Sequence, residues 1–234
     1  MRRSQFIFVF ITLISVSGLV TQVVASTENH PWELVKKAEG IEVYQANIPG
    51  SDLVAFKGEG LLDYGIGRLA SILLDTARAS EWILNLVESH IVKRVQPLVF
   101  IEYSHIGTPF IIKDRDFLSQ VEVLIDEKQR TFGLKYNTAE SAHGGVVPKT
   151  GFIRGELHNT TFMLHALEKG KTKVTAMMHA DPKGTVPKWI VNFFQKSWPL
   201  DTFESLKKQA AKSDIRRAPE FIDVIEKVEQ FEKN

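Results

Sequence analysis

The sequence predicts an α+β fold, with helices laid on one face of an antiparallel sheet. Three observations predict it. The elements come in blocks: a short helix, two strands, a helical stretch, about seven strands and a long apolar helix. The strand-like runs are separated by short hinges rich in Gly, Pro, Asn and Asp, as antiparallel neighbours require. The final helix, Pro187 to Ala211, would be ~37 Å long at ~1.5 Å per residue. Its apolar side needs a broad surface to lie against, and a large curved sheet built from the preceding chain is the candidate.

In chain order, His30 to Glu39 (HPWELVKKAE) has the spacing of a short helix, with Trp32 and Val35 on one side and Gly40 as its stop. Ile41 to Asn47 and Leu53 to Leu62 alternate as strands around the turn Pro49-Gly50-Ser51. Tyr64 to Val87 is helical in pattern, with a break near Ala79-Ser80. Strands are then expected over His90–Val95, Leu98–Ile106, Asp116–Ile125, Thr131–Thr138, Gly151–Leu157, Thr161–Glu168 and Lys173–Ala180. Asp181-Pro182-Lys183-Gly184 turns the chain, because proline cannot donate to a ladder and glycine permits a tight reversal. Pro187 suits the first turn of the long helix, and Pro199 should kink or divide it. After a polar link, Pro219 opens a small terminal helix with Phe221, Ile222, Ile225 and Val228 on one face.

The N-terminus reads as a leader. Arg2 and Arg3 precede an uncharged stretch from Phe6 to Val20, and Val23-Val24-Ala25 precedes Ser26, the layout of a secretory signal peptide cleaved after Ala25. An uncleaved membrane anchor is the alternative. Domains are therefore expected at 1–25 (leader), 26–212 (the main domain) and 213–234 (a helical extension), working outside the cytosol. The chain holds 29 basic and 28 acidic residues, with no basic block beyond pairs such as Lys207-Lys208, so nucleic acid is not an expected partner. With no cysteine, disulfides, thiolate metal sites and cysteine nucleophiles are excluded.

Enzyme motifs are missing from the sequence. The seven histidines form no H-E-x-x-H, no serine is framed as G-x-S-x-G, and Gly58-Glu59-Gly60 lies inside a strand pattern rather than a phosphate loop. His158 and His165 could meet across a hairpin, but the pattern favours satisfied polar residues on strands. No metal and no cofactor is expected. Two charged residues stand out. Arg115 opens a strand in Asp114-Arg-Asp-Phe117, and Glu102 interrupts the apolar run Leu98 to Tyr103. Alternation leaves two places for Glu102: the solvated face, or a cavity in which burial would demand a partner or a raised pKa.

Five short stretches carry a resemblance. They are Gly40-Ile-Glu-Val-Tyr44, Ala79-Ser-Glu-Trp82, Lys113-Asp-Arg-Asp-Phe117, Gly151-Phe-Ile-Arg154 and Ala180-Asp-Pro-Lys-Gly-Thr-Val-Pro-Lys-Trp-Ile-Val-Asn192. In this order, on this pattern of elements, the chain resembles the StAR-related lipid-transfer (START) domain family over roughly Trp32 to Gln209. The resemblance implies a helix-grip fold, an antiparallel sheet curled around the C-terminal helix and enclosing an apolar tunnel for one lipid. Ligand-binding residues would be Phe100, Glu102, Ser104, Arg115, Phe117 and Val121 from strands. Phe110 and Ile111 would come from a membrane-touching entrance loop, and Trp189, Ile190, Phe193 and Phe194 from the helix. Sterol-binding members carry a buried carboxylate and arginine; Glu102 matches the carboxylate, but Val121 occupies the arginine's position, so that pair is broken here. The expected function is non-enzymatic binding and transfer of one hydrophobic molecule by a monomer in a bacterial periplasm or outside the cell. Burying an acyl chain gains ~0.8 kcal/mol per methylene, so about sixteen carbons offer roughly 12 kcal/mol before entropic costs. Two alternatives stand beside it. One is a helix-grip enzyme, for which Glu102, Tyr103, His105 and Arg115 would have to converge; the other is a membrane-tethered interaction module.

Overall fold

The computed structural model describes residues 31–108, 112–139, 151–168, 170–186 and 188–232, except for the side chains of 188–190 and 192–195. Three strands open it as a meander: β1 (Glu33–Ala38), β2 (Ile41–Asn47) and β3 (Val54–Leu62). The first corrects the helix expected before Gly40. Ala38 pairs with Ile41, and Glu39 and Gly40 between them have φ of 53° and 77°. That is the two-residue turn whose twist suits a hairpin, so Gly40 reverses a strand instead of stopping a helix. Exposed Glu33, Lys36 and Lys37 give β1 the charged character that keeps an edge strand from pairing further.

Helix α1 (Ile66–Leu74) and a 3-10 turn (Thr76–Glu81) follow. Helical structure was expected to continue to Val87, but it ends at Glu81 and β4 (Leu86–Gln96) begins instead. The apolar residues in between do not share a face: Trp82 is 7% exposed and Leu84 61%, and Asn85 turns the chain with φ 62°. The remaining strands are β5 (Val99–Ile106), β6 (Arg115–Asp126), β7 (Thr131–Thr138), β8 (Ile153–Arg154), β9 (Glu156–Leu157), β10 (Thr160–Glu168), β11 (Lys171–Met178) and β12 (Ala180–Asp181). The strand expected over Gly151–Leu157 is split at Gly155, where a Cβ would come within 2.4 Å of the Phe117 ring.

Among the described residues, β1 to β8, β10 and β11 form one sheet in the order β1-β2-β3-β11-β10-β7-β6-β5-β4. Every pairing along that path is antiparallel; β8 adds to β6 in parallel, and β12 pairs with β9. Helix α2 (Lys188–Ala211) lies against β2, β3 and β11 and runs unbroken through Pro199, so the proline does not divide it. Its seat is written in β3. A Cβ on Gly58 would stand 2.8 Å from Pro199 Cβ, and one on Gly60 would stand 2.9 Å from the ring of Phe203, which is 1% exposed. The two glycines therefore form the groove into which the helix packs, and the architecture is the expected helix grip.

Beyond α2 the chain returns to the core. A 3-10 turn (Pro219–Phe221) leads into α3 (Ile222–Glu229), and Phe221, Ile225, Val228 and Phe231 are all buried with α1 and the sheet. Phe221 sits 5.4 Å from Phe100 between ring centroids, and the Arg94 guanidinium lies 4.7 Å from the Phe221 ring. Arg130 Nε donates to Phe231 O (2.8 Å), and Gly67 N donates to Glu232 Oε1 (3.2 Å).

Candidate functional site

A cavity of about 320 Å³ opens between the inner face of the sheet, the turn from Trp82 to Leu86, and α2. Alternation along the strands decides what faces it. Phe100, Glu102 and Ser104 of β5 stand opposite Val121, Ser119 and Phe117 of β6 in register, and Val121 in turn stands opposite Tyr136 of β7. Glu102, Ser104, Phe117, Ser119 and Tyr136 line the cavity. Phe100 (2% exposed) and Val121 (0%) belong to the packed core instead. An aromatic group forms one wall: Phe162 of β10 has Trp82 at 6.1 Å, Trp198 at 5.9 Å and Tyr136 at 6.4 Å, all edge to face.

Glu102 is the one charged side chain that the strands direct into this space among the described residues, and Asp201 of α2 lies at its border. Ser89 of β4 donates to Glu102 Oε1 (3.0 Å), and Thr76 supplies a second hydroxyl. Burial outweighs these bonds and pushes the Glu102 carboxyl up to about 7. Tyr136 is held well above its ordinary value, by burial first and then by the Glu102 charge, so it remains a hydroxyl donor. No ion pair reaches Glu102 among the described residues. Val121, fully buried, stands opposite Phe100 and offers the carboxylate no charge.

Arg115 is not where a ligand contact would put it. The side chain is 3% exposed and reaches across to the turn before α2, where Nε donates to Pro182 O (3.2 Å) and Nη2 to Lys183 O (3.3 Å), while Nη1 donates to Lys113 O. Burial lowers its pKa. Its neighbours take similar roles. Asp114 accepts from Thr108 N (2.9 Å) and contacts His105 Nε2 (2.7 Å), which holds its carboxyl below the usual range. Asp116, fully buried, accepts both Nε (2.9 Å) and Nη2 (3.0 Å) of Arg154. The stretch Lys113–Phe117 is thus a junction joining the loop after β5, strand β8 and the turn into α2. Tyr103 and His105 face away from Glu102; Tyr103 packs with Ile101, Leu118 and Ala139, and His105 against Phe152 at 4.3 Å. Glu102, Tyr103, His105 and Arg115 therefore do not converge. His158 lies 5.2 Å from His179, with the rings tilted, rather than meeting His165.

Phe110 and Ile111 lie outside the described residues, as do the side chains of Trp189, Ile190, Phe193 and Phe194, whose backbone is helical in α2. Sequence reasoning overlooked Tyr136, Phe162, Ser89 and Thr76. Extending the inward parity of β5 and β6 to β7 and β10 would have found the two aromatic residues. The hydroxyls over Glu102 depend on a bulged β4 and on the turn after α1, which carry no local signal. Among the described residues no three metal-binding side chains converge.

A START domain family model matches residues 19–210. Mitochondrial steroidogenic acute regulatory protein of Rattus norvegicus is 28% identical over 194 residues, 80% of this chain and 66% of its own length. Phosphatidylcholine transfer protein of Bos taurus is 25% identical over 170 residues, 71% of this chain and 78% of that protein. Among solved structures, human StAR-related lipid transfer protein 5 superposes with a TM-score of 0.71 at 20% identity, covering 76% of this chain and 86% of that one.

Proposed function

The chain belongs to the START domain family, a family of lipid-binding proteins, and we propose that it binds one hydrophobic molecule in the cavity beneath α2 and carries it between membranes. The observation that carries this reading is the cavity itself, an aromatic-walled space between sheet and helix whose size falls in the ~300–1,000 Å³ range of small-molecule sites. Binding there needs no covalent chemistry. The gain comes from moving apolar surface out of water, at ~25 cal/mol per Å². That Tyr103, His105 and Arg115 are directed away from Glu102 supports carriage over catalysis.

The rim supports a membrane encounter. Leu84 and Val87 are 61% and 56% exposed beside the cavity mouth, and Gly107 N donates to Asn85 O (2.9 Å), which brings the loop after β5 alongside them. The carrier is proposed to work as a monomer in the periplasm or outside the cell, on the strength of the leader layout at 1–25, with residues 26–212 as the lipid-binding domain.

Native mass spectrometry with lipid extraction, on protein purified from its own compartment, tests the proposal. One lipid bound per chain is the expected result. A protein that comes out empty and takes up no phospholipid, fatty acid, fatty alcohol or sterol would overturn it.

A further inference from the structure

We propose that the cavity selects its ligand by charge. It accepts a hydrophobic molecule whose polar end is uncharged or cationic and donates a hydrogen bond, and it rejects molecules headed by a carboxylate or phosphate. The inference deepens the carrier reading and rests on it.

Among the described residues lining the cavity, the charged ones are Glu102 and Asp201, and both are acidic. Arg115, the cation at the start of β6, is committed to three backbone carbonyls and does not line the space. An anion drawn out of water needs a positive or strongly donating partner. Here it would meet a carboxylate instead, and the donors beside it are all neutral, among them the Ser119 and Tyr136 hydroxyls, the Asn85 amide and the buried Trp82 indole N–H. A donor fares differently. An ionised carboxylate has about four acceptor positions. Ser89 and Thr76 fill part of that capacity, and the rest is turned toward the ligand space. A hydroxyl, amide N–H or amine on the ligand would complete it. Hydroxyls suit the site especially well, since the Tyr136 and serine hydroxyls can donate back to the ligand oxygen.

The test needs ligands alike in everything except the head group. Binding of dodecanol, dodecylamine and dodecanoate to delipidated protein would be measured by tryptophan fluorescence and native mass spectrometry at about pH 9. The expected result is that the alcohol and the amine bind at least about tenfold more tightly than the carboxylate. Glu102→Gln should narrow the gap between alcohol and carboxylate by about tenfold, and Asp201→Asn, on the surface of α2, should narrow it in the same direction. Dodecanoate binding wild-type protein as tightly as dodecanol would overturn the inference while leaving the carrier reading intact. So would a gap that neither variant changes. Failure of all three probes to bind would instead overturn the carrier reading, and the inference with it.

Discussion

Glu102→Gln should make the ligand-free protein more stable at alkaline pH and slightly less stable at acidic pH. In the folded chain the carboxyl titrates at about 7, against 4.5 for a free glutamate. Between those two values the folded state holds a proton that the unfolded state has released, so stability falls as pH rises, and above about 7 the loss is complete. At ~1.4 kcal/mol per pH unit the gap amounts to about 3 kcal/mol. Glutamine removes that penalty but keeps a carbonyl to accept from Ser89, at a cost of ~1 kcal/mol for a weaker hydrogen bond. The variant should therefore gain about 2 kcal/mol near pH 8, come close to wild type near pH 5, and lose about 1 kcal/mol at pH 4 and below. Urea denaturation of both proteins, followed by tryptophan fluorescence and circular dichroism across that range, measures the difference directly. Other titrating groups, such as Asp114 beside His105, are common to both proteins and cancel. A stability difference that stays constant with pH would refute the reasoning, because it would mean the carboxylate is solvated in the folded state.

Four further changes follow from the geometry. Gly58→Ala drives a methyl into Pro199 and should cost about 1–3 kcal/mol by overpacking, read as a lower urea midpoint. Arg154→Ala strands the buried Asp116 carboxylate and should cost about 3–5 kcal/mol, whereas removing both charges with Asp116→Leu and Arg154→Met should restore most of that in the same assay. Phe221→Ala should cost about 3–5 kcal/mol by opening a cavity against Phe100, while neighbouring Ile222→Ala, at 40% exposure, should stay within about 0.5 kcal/mol. Arg115→Met should leave equilibrium ligand affinity nearly unchanged but raise the ligand dissociation rate by about tenfold in stopped-flow fluorescence, because it frees the turn into α2 without touching the cavity wall.

The sheet was legible because its strands bury one face, and a period of two survives in residues such as Phe100, Glu102 and Ser104. What misled was chemistry that reads the same in two structures. Gly40 follows a Trp32–Val35 spacing that fits a helix, yet pairing with β2 makes it the second residue of a hairpin turn. Trp82, Leu84 and Leu86 continue the apolar count of α1, yet one packs on Phe162, one faces solvent and one starts a strand. In the site, Glu102 was found because a charge in an apolar run is conspicuous. Arg115 was misplaced because a strand-end residue of the correct parity can reach sideways as easily as inward. Gly58 and Gly60 carry a subtler signal. Two glycines at i and i+2 in a buried strand mark the close approach of another element, here the ring of Phe203.

The C-terminal end of α2 is held by ion pairs and by packing together. At the C-terminal end, Arg68 Nε donates to Ala210 O (2.7 Å), Arg78 pairs with Asp214 (2.8 Å), and Arg216 pairs with the buried Asp75. Phe221, Ile225 and Val228 then return into the core beneath α1. Freeing that end would expose several large apolar side chains at once, which makes it part of the cooperative core. At the N-terminal end, the turn carries Lys183 and Gly184 at φ of 51° and 76°, and its ties to β6 are the hydrogen bonds from Arg115 to Pro182 and Lys183. The C-terminal segment thus closes its end of the fold, and a carrier of the kind proposed would have to admit its ligand elsewhere, where the exposed Leu84 and Val87 mark one candidate rim.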